Sequence, residues 1–149
     1  MSNNTTSRHQ LPFLVVAQAQ KEITHNEALV RIDALLHPVV EDEIAAPPVV
    51  LAADAGKCWL IAELATGIWQ GKAGQIACWT GGSWRYILPV QSMTARNNAS
   101  STHAVWINGQ WITAPTISDP QSGAVIDTEA RAAIIALLSH FRMIGQFTG

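Results

Sequence analysis

One short pattern, W-x-G/N-G-x-W, occurs twice and constrains this chain more than any other feature: Trp79-Thr-Gly-Gly-Ser-Trp84 and Trp106-Ile-Asn-Gly-Gln-Trp111. Gly81-Gly82 and Asn108-Gly109 read as two-residue hairpin turns, because both central positions can take positive φ. The two Trp of each copy are equidistant from the turn, so their indoles stand opposite each other on one face. The residues beside the turn form the hydrogen-bonded pair. The Trp pair is the next one, not hydrogen-bonded, where side chains approach most closely. An aromatic pair there contributes about 0.5–1.5 kcal/mol beyond its burial. Two antiparallel hairpins are the fixed points of the fold.

The surrounding sequence suits them. Short β-rich runs broken by Gly, Pro and Asn extend from Val39 to about Thr113, with candidate strands at 57–62, 75–80, 83–89, 103–107 and 110–113. Residues 66–74 read as a glycine-rich loop, and residues 90–102 as a polar linker. Upstream, Thr24-His-Asn26-Glu27 has the spacing of a capping box, in which Thr24 accepts from the Glu27 amide and Glu27 reaches back. It would start a helix over about 25–36 that presents Ala28, Leu29, Ile32, Leu35 and Leu36 on one face and stops before Pro38. Glu41-Asp42-Glu43 then reads as a solvated exit. Residues 1–10 are polar and turn-prone, a flexible arm unless a partner orders them.

The C-terminal part returns to helical periodicity. Asp127 can cap, Glu129 suits the first turn and Gly145 can end the helix. Ile134, Leu137, Phe141 and Ile144 keep a heptad-like spacing, and Ile135 and Leu138 widen the stripe. A stripe that wide suits packing on a domain or in an oligomer core. The expected class is α+β: an N-terminal arm and capped helix, a small antiparallel Trp-rich sheet built from hairpins, and a C-terminal amphipathic helix. The expected division is an arm at 1–16, a helix plus Trp-rich β domain at 17–116, and a C-terminal helical segment at 117–149.

Composition excludes several classes. The chain has 149 residues, 48% of them apolar and only 13% charged, which suits an ordered domain with a real core. A net charge of −2 offers no electrostatic footprint for nucleic acid or an anionic membrane. No apolar run approaches the roughly 18 residues of a membrane helix, so membrane insertion is not expected. The stretch from Leu11 to Ala19 resembles a signal-peptide core. Only one Arg and no Lys precede it, and Pro12 interrupts it, so no signal peptide is expected. The low charge suggests a surface partly covered by other copies or by a partner. Cys58 and Cys78 are too few for a disulfide framework and too far apart for a CxxC site. Each precedes a Trp and would face away from it in a strand. Buried free thiols are the favoured reading, with a mutual disulfide left open.

No catalytic signature is present, whether HExxH, G-x-S-x-G, P-loop or dinucleotide fingerprint. The five His are scattered without ligand spacing. The expectation is therefore no catalytic residues, no metal, no cofactor and no enzymatic activity. Tryptophan is the functional lead, with six Trp against three Phe and one Tyr. Indole faces stack on the apolar faces of sugars, and a shallow saccharide site needs little more than such faces and nearby amides. Trp59 and Trp79, inside apolar strands, read as core. Trp69 in the glycine-rich loop, with Trp106 and Trp111, reads as exposed. These three, with Gln70 and Asn108, are the candidate saccharide-binding residues.

Two longer strings carry a family resemblance. Leu11-Pro-Phe-Leu, Ala17-Gln-Ala-Gln-Lys-Glu-Ile-Thr-His-Asn-Glu-Ala-Leu29 and Ile32-Asp-Ala-Leu35 resemble the opening of a phage-associated domain of unknown function, DUF2793. Ala46-Pro-Pro48, Thr66-Gly-Ile-Trp-Gln-Gly71, Gly74-Gln-Ile-Ala-Cys-Trp79 and Gly82-Ser-Trp84 resemble its second half. The likeness covers roughly 11–89, and the stretch from Ile126 to Ile134 resembles a segment that often accompanies it. The resemblance implies a virion component without enzymatic activity, as in head spikes of gene transfer agents and fibre-like phage proteins that attach to host capsular polysaccharide. The implied partners are other virion proteins, host surface polysaccharide and other copies of the chain, with a trimer favoured through Ile134, Leu137, Phe141 and Ile144. A base or adaptor role fits a chain this short. The alternatives are a stand-alone carbohydrate-binding module and a glycan hydrolase.

Overall fold

The computed structural model describes residues 4–14, 21–113, 115–121 and 127–147. The elements in order are α1 (Lys21–Leu35), β1 (Val39–Val40), β2 (Glu43–Ile44), β3 (Cys58–Ile61), β4 (Ile76–Trp79), β5 (Trp84–Ile87), β6 (Thr94–Asn97), β7 (Thr102–Ile107), β8 (Gln110–Thr113) and α2 (Thr128–Met143). The class is α+β, as the sequence implies. The strands form two sheets rather than one, ordered β1-β6-β7-β8 and β2-β3-β4-β5.

Both sheets follow one plan. A two-residue strand runs parallel to its neighbour, two antiparallel pairings follow, and the last pairing is a Trp hairpin. The short sequence repeat therefore marks a repeat of whole sheets. Residues 90–102 are no linker, because they hold β6 and supply the second sheet with its second strand. β6 escapes the sequence reading because it is short and polar, yet Ala95 and Asn97 alternate inward and are buried. Glu41-Asp42-Glu43 is likewise not a solvated exit: the Glu41 amide donates to the Cys58 carbonyl, and the Asp42 carbonyl accepts from Leu60. That short stretch carries the chain from one sheet to the other.

The alternation of β3 and β4 divides the core in two. Cys58, Leu60, Ile76, Cys78 and Ile87 face Ala34 of α1 and Val40 of β1. Trp59, Ile61 and Ala77 face the other way, toward Trp69. Cys58 and Cys78 do lie opposite their Trp neighbours, but they are joined as a disulfide, so the free-thiol reading is wrong. They are direct partners in the β3–β4 register. The Trp79 amide donates to the Lys57 carbonyl at 2.8 Å, so a bonded pair flanks them and theirs is the close, non-bonded one.

α1 is helical from Lys21. Thr24 therefore lies inside it and is not its N-cap, which corrects the capping-box reading. Asn26 instead clamps the arm: its Oδ1 accepts from the Leu14 amide at 2.9 Å and its Nδ2 donates to the Leu14 carbonyl at 3.1 Å. Glu27 lies 3.7 Å from Arg31 and 3.6 Å from Arg85 of β5. The expected apolar face is also displaced. Ala28, Ile32 and Leu36 are exposed, and the helix buries Asp33 and Ala34.

Asp33 accounts for that displacement. Its carboxylate accepts from Thr6 Oγ1 at 2.7 Å, from the amides of Arg8 and His9 at 2.9 and 2.7 Å, and lies 3.2 Å from His9 Nδ1. Burial pushes this carboxyl up, but the bonds from Thr6, His9 and Arg8 together outweigh it and hold the group below the usual carboxylate range. Residues 4–14 are thus ordered by the chain's own helix, and Thr5 pairs with Pro12. No partner is needed to hold that part of the expected arm.

Candidate functional site

Both Trp pairs adopt the expected register, Trp79 opposite Trp84 and Trp106 opposite Trp111. The turns differ slightly. Asn108 and Gly109 both take positive φ, whereas in the first hairpin only Gly81 does. The indole centroids lie 5.2 Å apart in the first pair and 5.4 Å in the second.

The first pair packs against a buried Trp cluster. Trp84 meets Trp59 at 5.5 Å and Trp69 at 5.1 Å, both edge to face. The Trp79 indole N–H donates to the Leu51 carbonyl at 2.8 Å. Trp69 is 0% exposed, which overturns its assignment to a binding surface. The glycine-rich loop folds as a short 3-10 turn, Gly67–Trp69, and lays that indole over the sheet. Burial raises the Tyr86 hydroxyl above its usual range. The Trp69 N–H opposes that rise without reaching hydrogen-bond geometry. Gln70 stays exposed on the loop and does not line the groove described next.

The second pair opens on a groove of about 430 Å³. Its walls include Trp106, Trp111, Gln110, Gly74, Glu43 and Glu63. Trp111 also packs against the core, and its N–H donates to the Gly74 carbonyl at 2.9 Å. Trp106 rests on Gly74, where a Cβ would come within 2.7 Å of the indole; Gly74 also has φ +75°. No other residue type fits there without moving the ring. Of the five candidate saccharide residues, the structure brings together two, Trp106 and Trp111. Asn108 belongs to the turn, with its amide 3.3 Å from Gln91 Oε1. Sequence reasoning missed Glu43 and Glu63, which arrive from β2 and from the turn after β3 in the other sheet. Nothing local to Trp106 announces them.

A second cavity, of about 340 Å³, lies beneath the arm, between Asp33, Arg8 and the Cys58–Cys78 disulfide. Thr6, Arg8 and His9 already occupy the Asp33 carboxylate. Among the described residues no group of three His, Cys, Asp or Glu could hold a metal, and no helix is long and apolar enough to cross a membrane.

α2 presents a separate surface. Asp127 caps it by accepting from the Ala130 amide at 2.8 Å, and Gly145 follows its end with φ +76°. Arg131, Ile135, Leu138 and Arg142 form its half-buried side. Arg142 pairs with Asp119 at 2.7 Å, and Arg131 donates to the Pro120 carbonyl at 2.8 Å. The Gly145 carbonyl accepts from the His103 amide of β7. Ile134, Leu137, Phe141 and Ile144 turn outward and are exposed.

The pattern of a family described as a protein of unknown function, DUF2793, matches residues 25–135. The chain belongs to the DUF2793 family. The match runs from α1 into α2 and takes in both sheets, both Trp hairpins and the groove. No curated protein matches this DUF2793 chain.

Proposed function

We propose that this chain is a structural component of a phage or gene-transfer-agent particle, a spike, fibre or adaptor protein, that holds host-surface polysaccharide in the Trp106–Trp111 groove. The particle role rests on the family resemblance, and the observation that carries the binding role is the groove itself. Two indoles stand on one face of a hairpin at the end of a sheet, with the amide side chain of Gln110 and two carboxylates beside them. Indole faces take up the C–H face of a pyranose, and oxygen and amide groups at the rim bond its hydroxyls. The groove acts by binding, without catalysis. Its place is the particle surface, where a weak site gains avidity by repetition.

Repetition calls for assembly, and the outward face of α2 supplies a surface for it. Ile134, Leu137, Phe141 and Ile144 are 46%, 58%, 37% and 39% exposed on one side of a helix whose other side is anchored. A closed trimer burying that face is the expected assembly. Light scattering should find an oligomer at tens of micromolar, and Leu137→Glu with Phe141→Glu should dissociate it. A wild-type chain that stays monomeric would remove self-assembly from the proposal.

The functional test has two arms. Mass spectrometry of gradient-purified particles should find the chain in fixed ratio to capsid proteins. Host capsular oligosaccharide should perturb the tryptophan fluorescence of the wild type, and Trp106→Ala should abolish the effect. Binding without incorporation into particles would leave the stand-alone carbohydrate-binding module as the better reading.

A further inference from the structure

We infer that the Trp106–Trp111 groove selects sugars carrying a free ammonium group, a hexosamine unit, and rejects anionic sugars. This rests on the saccharide reading above and specifies its ligand chemistry. Among the described residues, the only charged ones that line the groove are Glu43 and Glu63. Among the described residues, neither carboxylate takes part in an ion pair. No Lys or Arg lines the groove, and most are held elsewhere. Lys57 pairs with Asp54, Arg85 and Arg31 approach Glu27, and Arg142 pairs with Asp119. Lys72 sits over the Tyr86 ring at 5.0 Å, and Arg96 lies beside Gly145. The groove therefore has negative charge and no cation to balance it.

The geometry gives that charge a use. A pyranose stacked on an indole directs its equatorial substituents outward from the ring edge, toward the rim. An ammonium group there meets carboxylates that have no other partner, and the indole faces add cation–π attraction. An N-acetyl group at the same position is neutral and loses this gain. A uronate would place a third carboxylate beside two others. Both Glu side chains are solvent-exposed, so the preference is screened by salt.

The test uses the full chain, with tetramers of glucosamine, N-acetylglucosamine and galacturonate titrated by calorimetry. It is run at about pH 5.5, between the ordinary carboxylate and amine ranges. The glucosamine tetramer should bind about tenfold tighter than the N-acetylated one. Galacturonate should not bind. The gap should narrow in about 0.5 M salt. Glu43→Gln combined with Glu63→Gln should bring the two amino-sugar tetramers to equal affinity. Equal affinities in the wild type, or Trp106-dependent galacturonate binding, would overturn this inference and leave the saccharide site standing. Absence of Trp106-dependent binding by any of the three tetramers would overturn both.

Discussion

The two Trp hairpins share a sequence pattern, a register and nearly the same ring separation, 5.2 and 5.4 Å, yet one packs against the buried Trp59–Trp69 cluster and the other lines a groove. The difference lies outside the hairpins. The first meets Trp59 from β3 and Trp69 from the loop that follows β3, and its Trp79, with Cys78, also lines the cavity beneath the arm. The second meets Gly74, which has no side chain, and two carboxylates that prefer water. Local chemistry sets how two indoles face each other. What covers them is set by segments 10 to 70 residues away, here 69 against 84 and 43 against 111.

The strongest way to break the comparison is to truncate one indole on each side. Trp69→Ala removes a fully buried ring and should cost about 3–5 kcal/mol in urea denaturation. Trp106→Ala, at a half-buried ring, should cost about 1–2 kcal/mol while removing oligosaccharide binding. Equal losses would mean that Trp106 is as much a part of the core as Trp69, the ring that packs on the first hairpin.

The arm offers the next largest effect. Asp33→Asn should cost about 2 kcal/mol, because three donors and a ring nitrogen lose a charged acceptor. The sign of the pH dependence follows from the lowered carboxyl. Its contribution is complete above the ordinary Asp value of about 4 and is lost as pH falls through the folded value. The variant should therefore lose less stability than wild type on acidification, in melts recorded from about pH 5 downward. An unchanged acid profile would show that Asp33 does not hold the arm.

The turns sharpen the comparison further. Gly81 and Gly109 have φ of +83° and +87°, so alanine at either is strained, at about 1 kcal/mol. A Cβ at Gly81 also comes within 3.3 Å of Ala55, whereas at Gly109 it meets nothing. Gly81→Ala should melt slightly below Gly109→Ala, and Gly109→Val below both Gly109→Ala and wild type. A Gly109→Val variant that melts with wild type would contradict the turn geometry. The smallest effect belongs to Thr24→Ala. At a helix N-cap it would cost about 0.5–2 kcal/mol. Inside α1 it should change stability by less than about 0.5 kcal/mol, because alanine is the better helix former.

Much of this was legible in the sequence, and the successes share a cause. The hairpin registers, the strand Gln110–Thr113, the Asp127 cap and the Gly145 stop each depend on residues within about six positions of one another. Thr24-x-x-Glu27 has equally local spacing and still misled. Thr24, His25 and Asn26 are weak helix formers, so the spacing read as a helix start, yet α1 continues through them from Lys21. β6 was missed because four residues of mixed polarity carry too little alternation to stand out from a linker.

The sequence by itself determined the faces: which indoles oppose each other, that each Cys turns away from its Trp, and which side of α2 carries the Ile134–Ile144 seam. The tertiary structure alone decided the occupants of those faces. It joined Cys58 to Cys78, buried Trp69, bound residues 6–9 to Asp33 across 24 to 27 positions, and carried Glu43 and Glu63 to Trp106. The physical reason is that periodicity fixes the direction of a side chain through its own backbone, while burial and charge pairing depend on whichever distant segment arrives to cover it.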